Sequence, residues 1–402
     1  MENKKLNILM AMDMYLPSMD GVIATMQNYL KCMKKMGHNV AAAAPGAGKN
    51  YKDTESYPII RSRAIKLPFY GGYYGKPVGD KEFERKLDET KWDIIHMHSP
   101  FNMCKFMINY AKARNIPIVA TFHTNFRPIM RKIIGPLAEI IIKNIGKRLS
   151  KLDEILVISG GVKKQAESFG VKNNITILRD RGTNLPKASD DLIEQYKQKI
   201  NKEYGLKDDD TVFLFVGRLM KLKRIDFTMK ALKILKDSGQ SFKYFVAGEG
   251  MDEKYLKKTA KKLGLENDVI FTGFVEDFET FKALYARADL LLFPSLYDNF
   301  GLVKIEAAAH KTAGVFVRGS MAGYDVEHNV NGYLCEDDIQ DIARVIKEAI
   351  SNKELLKKVS QKAGEDHYIT WQQSSELLIE KYLEILKNYK NKIEIPEEIE
   401  QD

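Results

Sequence analysis

Two stretches in the second half of the chain carry the residue types that handle a phosphate. The run Pro294-Ser295-Leu296-Tyr297-Asp298-Asn299-Phe300-Gly301-Leu302-Val303-Lys304-Ile305-Glu306 ends an apolar strand, turns through Asp298 and opens a helix. Backbone amides of Phe300, Gly301, Leu302 and Val303 at such a helix start can cradle a phosphate, which the helix dipole also favours. The carboxylates of Asp298 and Glu306, eight residues apart, can accept hydrogen bonds from hydroxyls. The same residues also read as a plain helix start, with Asp298 as cap and Glu306 solvated. Upstream, Gly217-Arg218-Leu219 ends another buried run, and Lys223 follows five residues after Arg218. Two cations leaving one strand end can clamp a diphosphate and neutralise the charge that builds on a departing nucleotide; surface cations are common enough that the pair alone does not establish this.

The first half offers fewer such groups. Gly21 opens a helix after the first apolar run, where a glycine lets amides approach a phosphate and equally serves as an ordinary helix start. His96 and His98 stand two apart at a strand end; only one of them is expected to face a ligand, and His98 is that candidate. His38, just after Gly37, reads as a structural cap, and Asp13 as either an acceptor contact or a turn residue. Nothing in the sequence has the spacing of a metal site.

The elements that position these residues alternate strand with helix, the signature of parallel sheets with crossover helices. Strands are expected at residues 6–12, 39–44, 93–98, 117–123, 154–159 and 175–178. A polar linker follows at 182–188, then a second series at 212–217, 242–248, 269–273, 290–294 and 315–318. Apolar residues at helical spacing predict one long amphipathic helix over 371–390. In open sheets of this kind ligands sit outside the carboxyl ends of the strands, where the candidates above fall.

At 402 residues the chain suits two domains, each large enough for its own core. With 44% apolar and 29% charged residues it has a globular composition, and no apolar run approaches the ~20 residues of a membrane span. The N-terminal apolar run is short and broken by Asp13, unlike a secretory signal, which places the protein in the cytosol. Three widely spaced cysteines give neither a disulfide framework nor a thiolate metal site. Residues 1–200 carry 33 Lys and Arg against 19 Asp and Glu, or +14, and residues 201–402 carry 30 against 35, or −5. One half thus suits an anionic partner. Aromatic residues are not interleaved with the cations as in a nucleic-acid-binding module, so nucleic acid is not the expected partner.

Several short pieces, none decisive alone, follow one another in an informative order. They are Asp20-Gly21-Val22, Gly37-His38-Asn39-Val40, His96-Met97-His98-Ser99-Pro100-Phe101, Thr121-Phe122-His123-Thr124, Gly217-Arg218-Leu219 with Lys223, Gly248-Glu249-Gly250, Phe271-Thr272-Gly273 and the run ending at Glu306. Together they resemble the retaining family-4 glycosyltransferases of GT-B fold, from about residue 6 to residue 385. The resemblance implies an α/β protein of two Rossmann-like domains facing a central cleft, with a C-terminal helix crossing back to the N-terminal domain. It divides the chain into an acceptor-binding domain (1–184), a nucleotide-sugar-binding domain (185–370), the returning helix (371–393) and an acidic tail (394–402).

Carried over by the resemblance, Gly21 and the amides from Phe300 to Val303 would touch the donor phosphates, and Arg218 and Lys223 would hold the diphosphate. Glu306 would bind the ribose hydroxyls, Gly273 and Phe274 would meet the base, and Asp298 would reach the sugar hydroxyls. His123 would contact the transferred sugar near the reacting carbon. His123, Asp298, Arg218 and Lys223 are thus the catalytic candidates, with His98, Thr124 and Arg127 on the acceptor side. No cofactor and no metal are expected, only a nucleotide diphosphate sugar, UDP-sugars being the commonest donors of the family. Such enzymes are thought to attack from the front face, the leaving phosphate accepting the acceptor's proton. The chain departs from the family in two places. Asp298 stands where the first glutamate of a Glu-x7-Glu pair is usual, one methylene shorter, and Arg179-Asp180-Arg181-Gly182 replaces an Asn-Gly turn. A catalytically inactive GT-B partner subunit is therefore the alternative to an active enzyme.

For the acceptor, residues 127–151 hold seven basic residues and one acid. Ile134, Leu137, Ile141, Ile145 and Leu149 share one helical face, Lys143, Lys147 and Lys151 another, and Gly135-Pro136 should break the helix in two. Such a segment can lie in an anionic membrane surface or simply pack on the core. Diacylglycerol and phosphatidylinositol glycosyltransferases are the nearest comparison in the family. The expectation is transfer of a hexose to a membrane lipid at the inner face of the cell membrane, in cell-envelope glycoconjugate synthesis, with a soluble or polysaccharide acceptor as the alternative.

Overall fold

The computed structural model describes residues 4–48, 50–66, 72–123, 126–178, 181–296 and 301–394. The chain divides into two compact units, one made of Met1–Arg181 with Trp371–Asp402 and the other of Gly182–Thr370.

The first unit runs β1 (Asn7–Ala11), α1 (Gly21–Lys35), β2 (Asn39–Pro45), β3 (Ile59–Ser62), β4 (Ala64–Lys66), β5 (Tyr73–Gly75), α2 (Lys81–Leu87) and β6 (Ile94–Met97). It continues through α3 (Asn102–Arg114), β7 (Ile118–Thr121), α4 (Arg127–Ile134), α5 (Ala138–Leu149), β8 (Glu154–Val157), α6 (Gly160–Ser168) and β9 (Ile175–Ile177). Seven of the strands form one parallel sheet in the order β3-β2-β1-β6-β7-β8-β9. β6, β7 and β8 are buried at every position, as a sheet covered on both faces by helices requires.

The second unit runs α7 (Asp190–Tyr204), β10 (Val212–Val216), α8 (Ile225–Asp237), β11 (Lys243–Ala247), α9 (Glu253–Lys262), β12 (Val269–Gly273), α10 (Phe278–Arg287) and β13 (Leu290–Phe293). It closes with α11 (Leu302–Ala309), β14 (Gly314–Val317), β15 (Tyr333–Cys335), α12 (Ile339–Ser351) and α13 (Lys353–Asp366). Its six strands are parallel in the order β12-β11-β10-β13-β14-β15. The core is mainly aliphatic with aromatic residues set among it, Phe215 and Phe293 stacking at 5.7 Å across adjacent strands.

The last helix, α14 (Trp371–Glu394), belongs to the first unit. Trp371 meets the Tyr29 ring of α1 edge-on at 5.4 Å, and Ser374 Oγ lies 3.1 Å from Tyr29 OH. The strand runs read from the sequence appear with ends that differ by at most two residues, and the helix expected over 371–390 extends to Glu394. Strands β3, β4, β5 and β15 were not expected. β3 lies at a sheet edge and includes Arg61, paired with Asp53 (Nε to Oδ2, 2.9 Å), and β15 is a three-residue edge strand. Neither shows the apolar run that marks a central strand.

Candidate active site

In the second unit the loops leaving β10, β11 and β12 lie side by side. Gly217 N–H donates to Ala247 O (3.0 Å), Leu219 N–H to Glu249 O (2.9 Å) and Gly248 N–H to Gly273 O (2.8 Å). This contact explains Gly248-Glu249-Gly250. A Cβ on Gly248, whose φ is +129°, would fall 2.1 Å from Gly217 O, and one on Gly250 would fall 2.2 Å from Leu219 O. Only glycine permits so close an approach of two backbones.

That platform presents Arg218 and Phe274. Arg218 is exposed and has no hydrogen-bond or ion-pair partner among the described residues. Phe274 is 67% exposed beside Gly273, whose φ of +69° turns the chain away from β12. Lys223 is half-buried, its ammonium 5.3 Å from the centre of the Phe293 ring at the end of β13. Two residues further, Ser295 is fully buried with no hydrogen-bond partner for Oγ among the described residues.

Gly301, with a left-handed φ of +55°, stands before α11 and has no side chain of its own to cap it. Amides at its start, on Leu302 and Val303, point along the axis toward the platform side of the sheet, as helix geometry dictates. Glu306, on the second turn, accepts a hydrogen bond from Tyr285 OH at 2.6 Å through one oxygen. Burial pushes its carboxyl above the usual carboxylate range. Lys304 is buried, donating to Ala322 O at 2.9 Å and paired with Asp325, which ties the helix to the connection between β14 and β15. Asp298 and Phe300 lie outside the described residues.

The first unit gathers histidines at the carboxyl ends of β6 and β7. Only one of His96 and His98 was expected to face a ligand; residues two apart share one face of a strand, and both rings are buried and stacked, centroids 4.4 Å apart. His98 Nδ1 lies 2.8 Å from His123 Nε2 with the rings 15° from parallel. Burial lowers the pKa of His123 well below the usual value, helped by the charge of buried Arg181.

Other first-unit candidates are engaged structurally. Asp13 caps α3, accepting from Ser99 Oγ (2.6 Å), Met103 N (2.7 Å) and Phe101 N (3.1 Å). His38 Nδ1 accepts from Leu6 N. The α1 amides of Val22 and Ile23, beside Gly21, are held by Asp20 at 2.9 and 2.8 Å, so a phosphate on those two would displace a carboxylate. Arg127 donates to Ser168 O at 2.8 Å and lies over Phe169. Thr124 lies outside the described residues, as do Arg179 and Asp180. Sequence reasoning missed Tyr285 and Ser295, which sit inside or beside apolar runs that read only as core.

Two parallel doubly wound sheets, each with its polar loops at the strand carboxyl ends, define a GT-B architecture. The model for Glycosyltransferase Family 4 matches residues 19–179, and that for Glycosyl transferases group 1 matches residues 196–366. The chain is similar to an uncharacterized glycosyltransferase of Methanocaldococcus jannaschii, 28% identical over 305 residues, 74% of this chain and 76% of that protein. It is similar to alpha-monoglucosyldiacylglycerol synthase of Acholeplasma laidlawii, 23% identical over 360 residues, 87% of this chain and 89% of that protein. Among solved structures, Anabaena HepE in complex with UDP superposes with a TM-score of 0.72 at 18% identity, covering 94% of this chain and all (100%) of that one. A Rickettsia africae glycosyltransferase gives 0.72 at 20% identity, with 96% and 99% covered. The chain belongs to the GT-B glycosyltransferases of family-4 type.

Proposed function

We propose that this protein is an active, retaining glycosyltransferase that moves a hexose from a nucleotide diphosphate sugar, a UDP-sugar foremost, to a membrane lipid such as diacylglycerol, without a metal. The observation that carries the donor half is Arg218, an exposed guanidinium on a glycine-built platform with no hydrogen-bond or ion-pair partner among the described residues, with Lys223 and the start of α11 in the same unit. These cations and amides would carry the charge of the departing nucleotide diphosphate. Glu306, anchored through one oxygen by Tyr285, keeps the other for ribose hydroxyls, and Phe274 offers a face to the base. His123 would contact the transferred sugar, and Asp298 its hydroxyls. The UDP complex of the HepE structure supports the choice of donor.

The lipid half rests on α4 and α5. Gly135-Pro136 breaks the segment as expected, into a 3-10 turn over Gly135–Leu137, but the exposed face differs from the one read from the sequence. Ile145 and Leu149 pack inward with Ile142, while Leu137, Ile140 and Ile141 are left 63%, 59% and 39% exposed. Exposed Arg131, Lys132, Lys143 and Lys147 flank them. Apolar residues ringed by cations suit the surface of an anionic bilayer, and the synthase named above supports a lipid acceptor. Among the described residues no helix is long and apolar enough to cross a membrane. The proposed location is accordingly peripheral, on the cytoplasmic face.

A panel of nucleotide sugars, assayed for slow hydrolysis and for transfer with and without anionic vesicles containing diacylglycerol, tests this reading. Arg218→Ala should lower kcat/KM for the true donor by about 100-fold or more. Absence of binding by every donor would leave the inactive-subunit alternative.

A further inference from the structure

Among the described residues, four other than glycine adopt a left-handed backbone: Asn115, Arg224, Lys311 and Asn329. Asn115 and Lys311 follow the ends of α3 and α11, where this conformation commonly terminates a helix, and asparagine tolerates it. Arg224, with φ +55° and ψ +33°, instead stands between two helical pieces. It closes a 3-10 turn over Lys221–Lys223, its backbone N–H donating to Lys221 O at 2.9 Å, and the next residue begins α8. For a residue with a Cβ that backbone is disfavoured by about 5–30-fold against the right-handed one. The Arg224 side chain supplies two contacts that offset this. Its guanidinium pairs with Asp337, in the connection between β15 and α12, and lies 4.4 Å from the centre of the Phe227 ring on the first turn of α8.

The break between turn and helix decides where Lys223 goes. Were Arg224 right-handed, the turn and α8 would run on as one helix. At about 100° per residue, Lys223 would then fall roughly opposite Ile225, Met229 and Leu232, which lie on the face that α8 buries. With the break in place, its ammonium lies 5.3 Å from the centre of the Phe293 ring at the end of β13.

We propose that Arg224 is a positioning residue: its ion pair with Asp337 holds the left-handed break before α8, and the break keeps Lys223 at the carboxyl end of β13. The consequence for donor binding rests on the reading of Lys223 as a diphosphate contact; the conformational link does not.

Side chain and backbone can be separated experimentally, because glycine takes the left-handed conformation without steric cost. Arg224→Gly removes the ion pair yet keeps the break, whereas Arg224→Ala and Asp337→Asn release it. Proton–carbon NMR of the lysine-labelled full-length protein reads the link without nucleotide. The Lys223 ε-methylene signals, assigned by their loss in Lys223→Arg, should be shifted by the Phe293 ring in the parent protein and in Arg224→Gly. In Arg224→Ala and Asp337→Asn they should move toward those of an exposed lysine. Titration calorimetry on the same proteins should show Kd for UDP rising about 3–10-fold in the Ala and Asn variants and less than about twofold in Arg224→Gly. Adding Asp337→Asn to Arg224→Gly should change neither reading, since glycine no longer needs the ion pair. Lys223 signals that stay put in Arg224→Ala and Asp337→Asn, or that move as far in Arg224→Gly as in Arg224→Ala, overturn the proposal. Signals that follow the expected pattern while UDP affinity stays constant, or while no UDP binds, uphold the link and sink the reading of Lys223 as a UDP contact instead.

Discussion

Just after β10, Arg218 offers an exposed guanidinium with no hydrogen-bond or ion-pair partner among the described residues, whereas Lys223 already rests over the Phe293 ring. The two cations read from the sequence as one clamp are thus unequal: Lys223 must lift from the aromatic face to meet a phosphate, and Arg218 has no such contact to give up among the described residues. Arg218→Ala should accordingly cost more than Lys223→Ala in donor affinity, measured by titration calorimetry with the nucleoside diphosphate alone. The buried histidines make a second prediction at this scale. Folded His98 protonates at about 3 against a usual 6.5, so between those values the unfolded chain holds a proton that the folded one lacks. Stability therefore rises with pH through that window and is lost on acidification, by about 1.4 kcal/mol per pH unit for each such ring. Melting temperatures at pH 7 and pH 5 should differ less in His98→Asn than in the parent protein. Arg218, Lys223 and Glu306 were legible in the sequence as charged residues after apolar runs, and His123 through the family resemblance alone. Tyr285 and Ser295 were not, since a tyrosine at helical spacing and a serine after a strand carry no mark of the hydrogen bond they make or lack.

Among the elements, the platform of the second unit depends on backbone contact between the loops after β10 and β11. Gly250→Ala should destabilise that unit by about 2–3 kcal/mol, because its Cβ would press on Leu219 N and O, and should weaken donor binding in the fraction that folds. Gly264→Ala is the control: its Cβ would meet nothing within 4 Å, and its φ is +68°. The left-handed backbone there should cost about 1–2 kcal/mol and leave donor binding unchanged. The central strands were readable from runs such as Leu290–Phe293, buried at every position. β3 and β15 were not, because a short edge strand needs no long apolar run. The face of α5 was misread for a related reason. Helical spacing groups residues but does not say which group the sheet covers, and Ile140, Ile141 and Ile142 satisfy more than one grouping. Ile140→Glu with Ile141→Glu should reduce sedimentation with anionic vesicles at least about tenfold, leaving nucleotide binding by the second unit unchanged.

For the molecule as a whole, the +14 and −5 halves of the chain predict that vesicle binding weakens as salt is raised, each membrane-facing cation contributing ~1 kcal/mol at low ionic strength. Donor binding as proposed, through Arg218 and Lys223 close to the phosphates, should be less sensitive over the same range. The division into units has a consequence of a different kind. The second unit is one uninterrupted stretch, Gly182–Thr370, but the first is complete only with Trp371–Asp402. On a ribosome, where chains emerge from the N-terminus, the first half is made early yet must wait for the last helix to bring Trp371 to Tyr29 and Tyr382 to His96. The second half can finish folding before the first. A product released before α14 would thus hold the second unit whole beside a histidine stack lacking its tyrosine.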